Sequence, residues 1–341
     1  MSNRLASIDA IRLFSVMGVV SIHCNQLQGN GLPEVWILVG GLIDLAARVA
    51  VPFFFMVSGY FLGVKIGNNN NNHRLILFLY CRRLLILIIF WYLVYIFIPA
   101  DWRVVQVHGY ARVIYWNALS LFNDIDSLLR GPRQHLWFFS ALLIGAIHVV
   151  AVLIVMRWRW SLASLYFVVL YLFGLANGTY AIMHEVRAIY VGHVGHIAMP
   201  PLFIFLGMFV ARRFVIGSAN IAWFLFLGGT CIILFEAILM SSYYNVPLVG
   251  HDMFIGTPFQ VVGLLALLLI RPDFARGTPF PNWGMYALGV YAIHVLWIEV
   301  LGVREGGGVI WEIGKTQLVF FVSLVSVIVL SRINKLRLFL V

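Results

Sequence analysis

A chain of 341 residues that is 62% hydrophobic and 11% charged does not have the composition of a water-soluble domain, which runs about 45–50% apolar and about 25% charged. No stretch is polar for long enough to form a separate soluble domain, so the chemistry must sit inside a bundle of membrane helices or at its two faces. The net charge of +10, carried largely by arginine, follows from a positive-inside loop bias more simply than from a nucleic-acid partner. The same excess on one face suits phosphates or lipid headgroups.

Apolar runs of about 20 residues, the length of a bilayer crossing, fall at 8–27, 38–63, 78–98, 135–156, 160–177, 196–211, 219–241, 254–270, 283–302 and 315–332. The run at 196–211 is short, contains Pro200-Pro201 and is expected to be broken or tilted. With the N-terminus in the cytoplasm, basic residues are about twice as frequent on that side as on the other. The expected fold is therefore one all-α polytopic membrane domain over 1–341, with about ten transmembrane helices and both termini cytoplasmic. The first run lacks a small-residue cleavage site and reads as a retained span, not a signal peptide.

Cys24, Cys81 and Cys231 lie in or beside apolar runs with no metal spacing and read as packing residues. The GNNNNNH patch from Gly67 to His73 reads as a flexible inner loop. The outer loop at about 99–134, rich in Trp, Tyr and Arg, would rest at the interface or cover an outer cavity. No internal repeat is evident, which weakens a repeat-built transporter.

An ionisable side chain at the centre of a span costs roughly 2.5–3.5 kcal/mol on insertion scales, so each one needs a reason. The first run contains DAIRLFSVMGVVSIH, Asp9 to His23. Arg12 and His23 lie almost three whole turns apart, on one helix face and roughly 16 Å along the axis. Asp9, one turn before Arg12, is placed to pair with it. A cation at the inner rim and an imidazole in the outer half thus lie on one line.

The second run carries PFFFMVSGY, Pro52 to Tyr60. Pro52 is expected to kink the helix, and Ser58-Gly59 offers a hydroxyl and close backbone access near the inner end. Asp44 and Arg48, four apart, are expected to form a structural ion pair. RQHLWFF, from Arg133, puts His135 and Trp137 near the outer surface, a pairing suited to sugar stacking and hydroxyl contacts. GMYALGVYAIHVLWIE places His294 near mid-membrane one turn after Tyr291, for a helix–helix hydrogen bond or a substrate contact, with Glu299 nearer the outer end. Glu236 reads as a structural partner, for instance of an Arg. No H-x-x-x-H or H-E-x-x-H occurs. His193 and His196 in GHVGH sit between glycines without a carboxylate, so no metal is expected.

Arg12 and His23 with ten residues between them, preceded by Asp9, together with PFFFMVSGY, QHLWFF and LGVYAIH, resemble the motifs of the acyltransferase 3 family of integral membrane acyltransferases, in order and over almost the whole chain. The nearest look-alikes are short bacterial surface-polysaccharide O-acyltransferases without a fused soluble esterase domain. One departure concerns the paired arginines, three apart, that family members often carry after the second span. This chain has Cys81-Arg82-Arg83, with Leu79 and Ile86 where a second arginine would stand.

The resemblance implies transfer of an acyl group, commonly acetyl, from cytoplasmic acetyl-CoA to a hydroxyl of a surface or lipid-linked glycan across a bacterial inner membrane. Arg12, Arg82 and Arg83 would hold the CoA phosphates. The thioester arm would pass Ser58 and Gly59, where the missing side chain leaves room. His23, assisted by Asp9 and Arg12, would act as general base or carry the acyl group itself. His135, Trp137, Tyr291 and His294 would hold the acceptor. A secondary transporter or flippase that uses the same His and Arg as a relay is the rival reading.

Overall fold

The computed structural model describes residues 4–29, 31–68, 72–184, 198–213, 217–251, 253–303 and 307–341. Among them helix is the only regular structure, as lipid requires of a chain whose backbone groups must pair within each segment. In chain order the helices are α1 (Ala6–His23), α2 (Glu34–Ala47), α3 (Ala50–Asn68), α4 (His73–Ile96), the short α5 (Trp102–His108), α6 (Tyr110–Ser120) and α7 (Ile125–Arg130), then α8 (Trp137–Val155), α9 (Trp160–Asn177), α10 (Pro200–Arg212), α11 (Ala219–Tyr244), α12 (Gly256–Ile270), α13 (Phe280–Gly284), α14 (Ala287–Val300), α15 (Gly308–Leu330) and α16 (Asn334–Leu340).

Seven segments of the described residues are long and apolar enough to cross a membrane: α1, α2 with α3, α4, α8, α9, α11 and α15. The other three apolar runs of the sequence form the shorter helices α10, α12 and α14, of 13, 15 and 14 residues. At 1.5 Å per residue these reach only about 20 Å, short of the ~30 Å hydrocarbon core.

The second run is two helices, not one kinked helix. The chain breaks at Arg48-Val49, and Pro52 falls in the first turn of α3, where a missing N–H leaves no hydrogen bond unmade. The residue after it re-enters the ladder, with Phe53 N–H donating to Val49 O at 3.0 Å.

Close packing relies on glycine. Between α3 and α10 a Cβ on Gly59 would collide with the Ile204 backbone, one on Gly63 would come within 3.0 Å of Met208 Cα, and one on Gly207 would strike the Met56 carbonyl. Small residues at such crossings let backbones approach in a medium that gives no hydrophobic drive to helix association. Burial ranks the helices: 56% of the most apolar window of α8 and 50% of that of α1 are buried, against 28% for α4 and α9 and 22% for α11. The first pair lies inside and the other three face outward. The segment 99–133 folds as α5 to α7, tied down where Tyr110 OH donates to Phe97 O at 2.7 Å and Asn117 Nδ2 to Ile96 O at 3.2 Å. It leaves Trp102, Tyr115, Trp116 and Phe122 exposed, as aromatics at a membrane interface are.

Candidate active site

At its C-terminal end α1 delivers His23 into a cluster of imidazoles. The His23 ring centroid lies 5.1 Å from that of His294 on α14 and 6.2 Å from that of His135, in the 3-10 turn Gln134–Leu136 that opens α8. His135 and His294 are 5.2 Å apart. Tyr95 and Tyr291 pack on the His135 ring at 5.2 and 6.0 Å. The cluster is pinned by backbone. Tyr95 OH donates to Ala292 O at 2.8 Å and accepts from Leu296 N–H at 3.2 Å, so it bridges the two ends of one rung of α14. His135 Nε2 lies 3.2 Å from the same Ala292 O, and Tyr291 OH donates to His135 O.

His23 also lines a cavity of about 710 Å³, whose wall includes Trp137, Tyr291, Gln134, Arg48, Thr179 and His251. It thus belongs to both the buried cluster and the open space. The cavity offers an indole face, an amide, a hydroxyl, an imidazole and a guanidinium, a set that suits a hydroxyl-rich ligand. Arg48 is held by Asp44 at 2.7 Å, one turn back, so this cation reaches the cavity wall already compensated by a nearly buried carboxylate. No residue of 99–133 lines the cavity.

The other end of α1 gathers charge. Asp9 is shared by Arg4 at 2.8 Å and Arg12 at 3.6 Å, so its nearer partner is Arg4, which the sequence reading did not single out. Arg4 also donates to Pro281 O at 2.9 Å. Arg83 of α4 lies near enough to act on the Arg12 charge, and Tyr80, beside Ser58, lies near both. Arg12 Nε has no partner. Arg82 is exposed and is not among the charges acting on Arg12 or Tyr80. Of the residues expected to hold the donor, Arg12, Ser58 and Arg83 are thus brought together.

Several expectations need correction. Gly59 leaves no room for a thioester arm, because the Ile204 backbone fills the space its missing side chain vacates. His135, expected near the outer surface, is only 1% exposed, and His294 is fully buried; neither lines the cavity that His23 reaches. Among the described residues Glu236 pairs with no arginine. Its carboxylate accepts from Tyr180 OH and from the Ile255 and Gly256 N–H groups at 3.3 Å, a cap on the start of α12. Glu299 pairs with Arg133 at 2.5 Å. Lys315, at the start of the last apolar run, is fully buried with Glu312, 2.7 Å apart, one turn along α15 and beside Cys24. His193 and His196 lie outside the described residues, and among those described no group of three His, Cys, Asp or Glu is placed to hold a metal ion.

The fold and site define a membrane-type helical protein with a cation cluster at one end of a central helix and an imidazole cluster opening on a cavity at the other. The family model for the acyltransferase domain (Acyl_transf_3) matches residues 5–333, and the chain belongs to that family. Among curated proteins it resembles the serine/alanine racemase of Enterococcus gallinarum, 28% identical over 305 residues, which cover 84% of this chain and 40% of that protein. It also resembles the amino-acid racemase of Enterococcus faecalis, 28% identical over 299 residues, covering 79% of this chain and 38% of that protein. The chain therefore spans about two fifths of the length of these relatives. No solved structure matches.

Proposed function

We propose that this chain is an O-acyltransferase of a bacterial inner membrane that moves an acyl group, acetyl by default, from cytoplasmic acetyl-CoA to a hydroxyl of a surface or lipid-linked glycan. The observation that carries the reading is His23, which stands in the imidazole cluster and in the cavity wall at once, at the far end of the helix whose other end holds Arg12.

The Arg4, Arg12 and Arg83 end supplies charge-assisted donors to the CoA phosphates, and the free Nε of Arg12 is one of them. The pantetheine arm extends along α1 toward His23, a rise of roughly 16 Å. In the cavity the acceptor hydroxyl gives its proton to His23 as its oxygen attacks the thioester carbonyl. The C–S bond then breaks and the thiolate takes the proton from His23. A neutral imidazole is a competent base for this near pH 7. Trp137 and Gln134 lie where the acceptor sits. In the alternative course the same His23 nitrogen attacks the thioester and displaces the CoA thiolate to give acyl-His23; the acceptor hydroxyl then attacks that acyl group, neutral His23 leaves, the hydroxyl proton goes to the thiolate, and ping-pong kinetics mark the route.

The test uses purified full-length protein in detergent, radiolabelled acetyl-CoA and the lipid-linked glycan fraction of the source membranes. Label is expected to move into glycan, with no interconversion of serine enantiomers by this chain alone. His23→Ala is expected to lower transfer about 1,000-fold while acetyl-CoA binding persists. Transfer near the wild-type rate in His23→Ala refutes the mechanism. Protein that binds no acetyl-CoA but moves glycan across vesicles is a flippase.

A further inference from the structure

His135 and His294 are too buried to touch an acceptor, and their hydrogen bonds show what they offer instead. A carbonyl oxygen only accepts, so a ring nitrogen bonded to one carries a hydrogen. His294 Nδ1–H therefore donates to Tyr291 O at 2.7 Å, and His135 Nε2–H to Ala292 O at 3.2 Å. In a neutral imidazole the other nitrogen is then a lone pair. Those nitrogens, His294 Nε2 and His135 Nδ1, are buried and without a hydrogen-bond partner. The tyrosine hydroxyls in ring contact with the pair are committed elsewhere: Tyr95 OH donates to Ala292 O and Tyr291 OH to His135 O. The remaining member of the cluster is His23, with its ring nearer to His294 than to His135.

We infer that His294 is the positioning residue of His23, accepting the His23 N–H on the side away from the cavity, with His135 as a second acceptor beside it. Resting on the acyl-transfer reading above, this explains how His23 is held as a base. A lone pair facing a lone pair repels, so the His23 nitrogen toward His294 keeps its hydrogen. The bare nitrogen must then face the cavity. When the acceptor hydroxyl attacks, its O–C bond forms at the thioester carbonyl and its proton moves to that bare nitrogen. The resulting imidazolium is held by the His294 lone pair. The C–S bond breaks, the sulfur takes the proton, and His23 returns to its starting tautomer. His294 keeps its own Nδ1 hydrogen throughout, and no proton is gained or lost. The arrangement follows the logic of an orienting acceptor behind a catalytic imidazole, with a neutral nitrogen where a carboxylate is more usual.

The first test is kinetic, on the full-length protein with acetyl-CoA and the membrane glycan fraction. His294→Leu is expected to lower kcat about 100-fold while the acetyl-CoA dissociation constant stays within about twofold and thermal unfolding in detergent is unchanged. His294→Gln, which keeps an acceptor oxygen, is expected to recover most of the rate. A His294→Leu enzyme at wild-type kcat, or a Gln variant as slow as the Leu variant, overturns the inference. The second test needs no turnover. Nitrogen-15 spectra of histidine-labelled protein are expected to show a single neutral tautomer for His23, which becomes a mixture in His294→Leu. An unchanged His23 pattern overturns the inference even if the acyl-transfer reading stands. If the tautomer shifts as expected but no acetyl group moves, the functional reading fails and the hydrogen bond remains.

Discussion

The two ends of α1 hold their polar groups in opposite ways. At the N-terminal end the groups are long and partly exposed, with side-chain exposures of 46% for Arg4 and 31% for Arg12, and one carboxylate is shared between them at unequal distances. At the C-terminal end the groups are rings, and the two behind His23 are fixed to backbone carbonyls at 2.7 and 3.2 Å. Under the proposed acyl transfer, a flexible polyanion would be met by side chains that can follow it, and a proton transfer by groups whose geometry is set beforehand, because orientation rather than attraction controls that step. The nearby ions fit the same division: Arg48 with Asp44 and Lys315 with Glu312 are each compensated one turn away on their own helix or at its end, so neither pair leaves a net charge beside the imidazoles.

The division is broken most directly by His23→Ala. A positioned general base contributes about 10²–10⁴-fold, so kcat is expected to fall about 1,000-fold with acetyl-CoA affinity unchanged. Equal losses in rate and donor affinity in an initial-rate and binding series would show that the two ends do not act separately. Next in size is Lys315→Met. It removes one partner of a fully buried ion pair, and breaking such a pair costs about 3–5 kcal/mol. Denaturant unfolding in detergent is expected to show that loss, and the double variant with Glu312→Leu to regain most of it. If the single variant is as stable as the wild type, the pair is not a structural element of the bundle. Arg12→Gln comes third. Loss of one charge-assisted contact to phosphate, about 2 kcal/mol, is expected to raise the acetyl-CoA KM about 30-fold and flatten its salt dependence while kcat holds. A fall in kcat with unchanged KM would move Arg12 out of the donor site.

How much of this the sequence carries depends on whether a feature lies within one helix or between helices. The alignment of Arg12 with His23 is a property of a 3.6-residue period and can be read from one run. So can the Asp44–Arg48 pair, although the chain break beside it cannot, because a proline in the first turn of a new helix and one that kinks an old helix look alike in sequence. Lys315 with Glu312, three apart, is legible in spacing, but a run begun at Lys315 leaves Glu312 outside it. The approach of His135 and His294 to His23 joins α1, α8 and α14, and no local pattern encodes it. Gly59 shows the reverse error. A glycine in a lipid-embedded bundle is more often a contact between backbones than a gap for a ligand, and only the position of Ile204 decides between them.

The smallest effect falls on Trp137, and it probes the boundary between the fixed rings and the adaptable cavity. Its indole packs 6.1 Å from the Phe55 ring on one side and lines the cavity on the other, one residue after the 3-10 turn that holds His135. Substitution therefore separates two roles. If Trp137 supplies a stacking face, Trp137→Ala is expected to raise the acceptor KM about fivefold, the size of an aromatic contact of about 1 kcal/mol, and Trp137→Phe to restore it, with kcat unchanged in both. If instead it braces the turn, both variants lower kcat, because His135 and then His23 lose their setting. A five-point acceptor titration at saturating acetyl-CoA distinguishes the two. The first outcome is expected, because the turn is already held from α14 by the Tyr291 hydroxyl on His135 O and by Ala292 O on the His135 ring, bonds to which the indole contributes nothing.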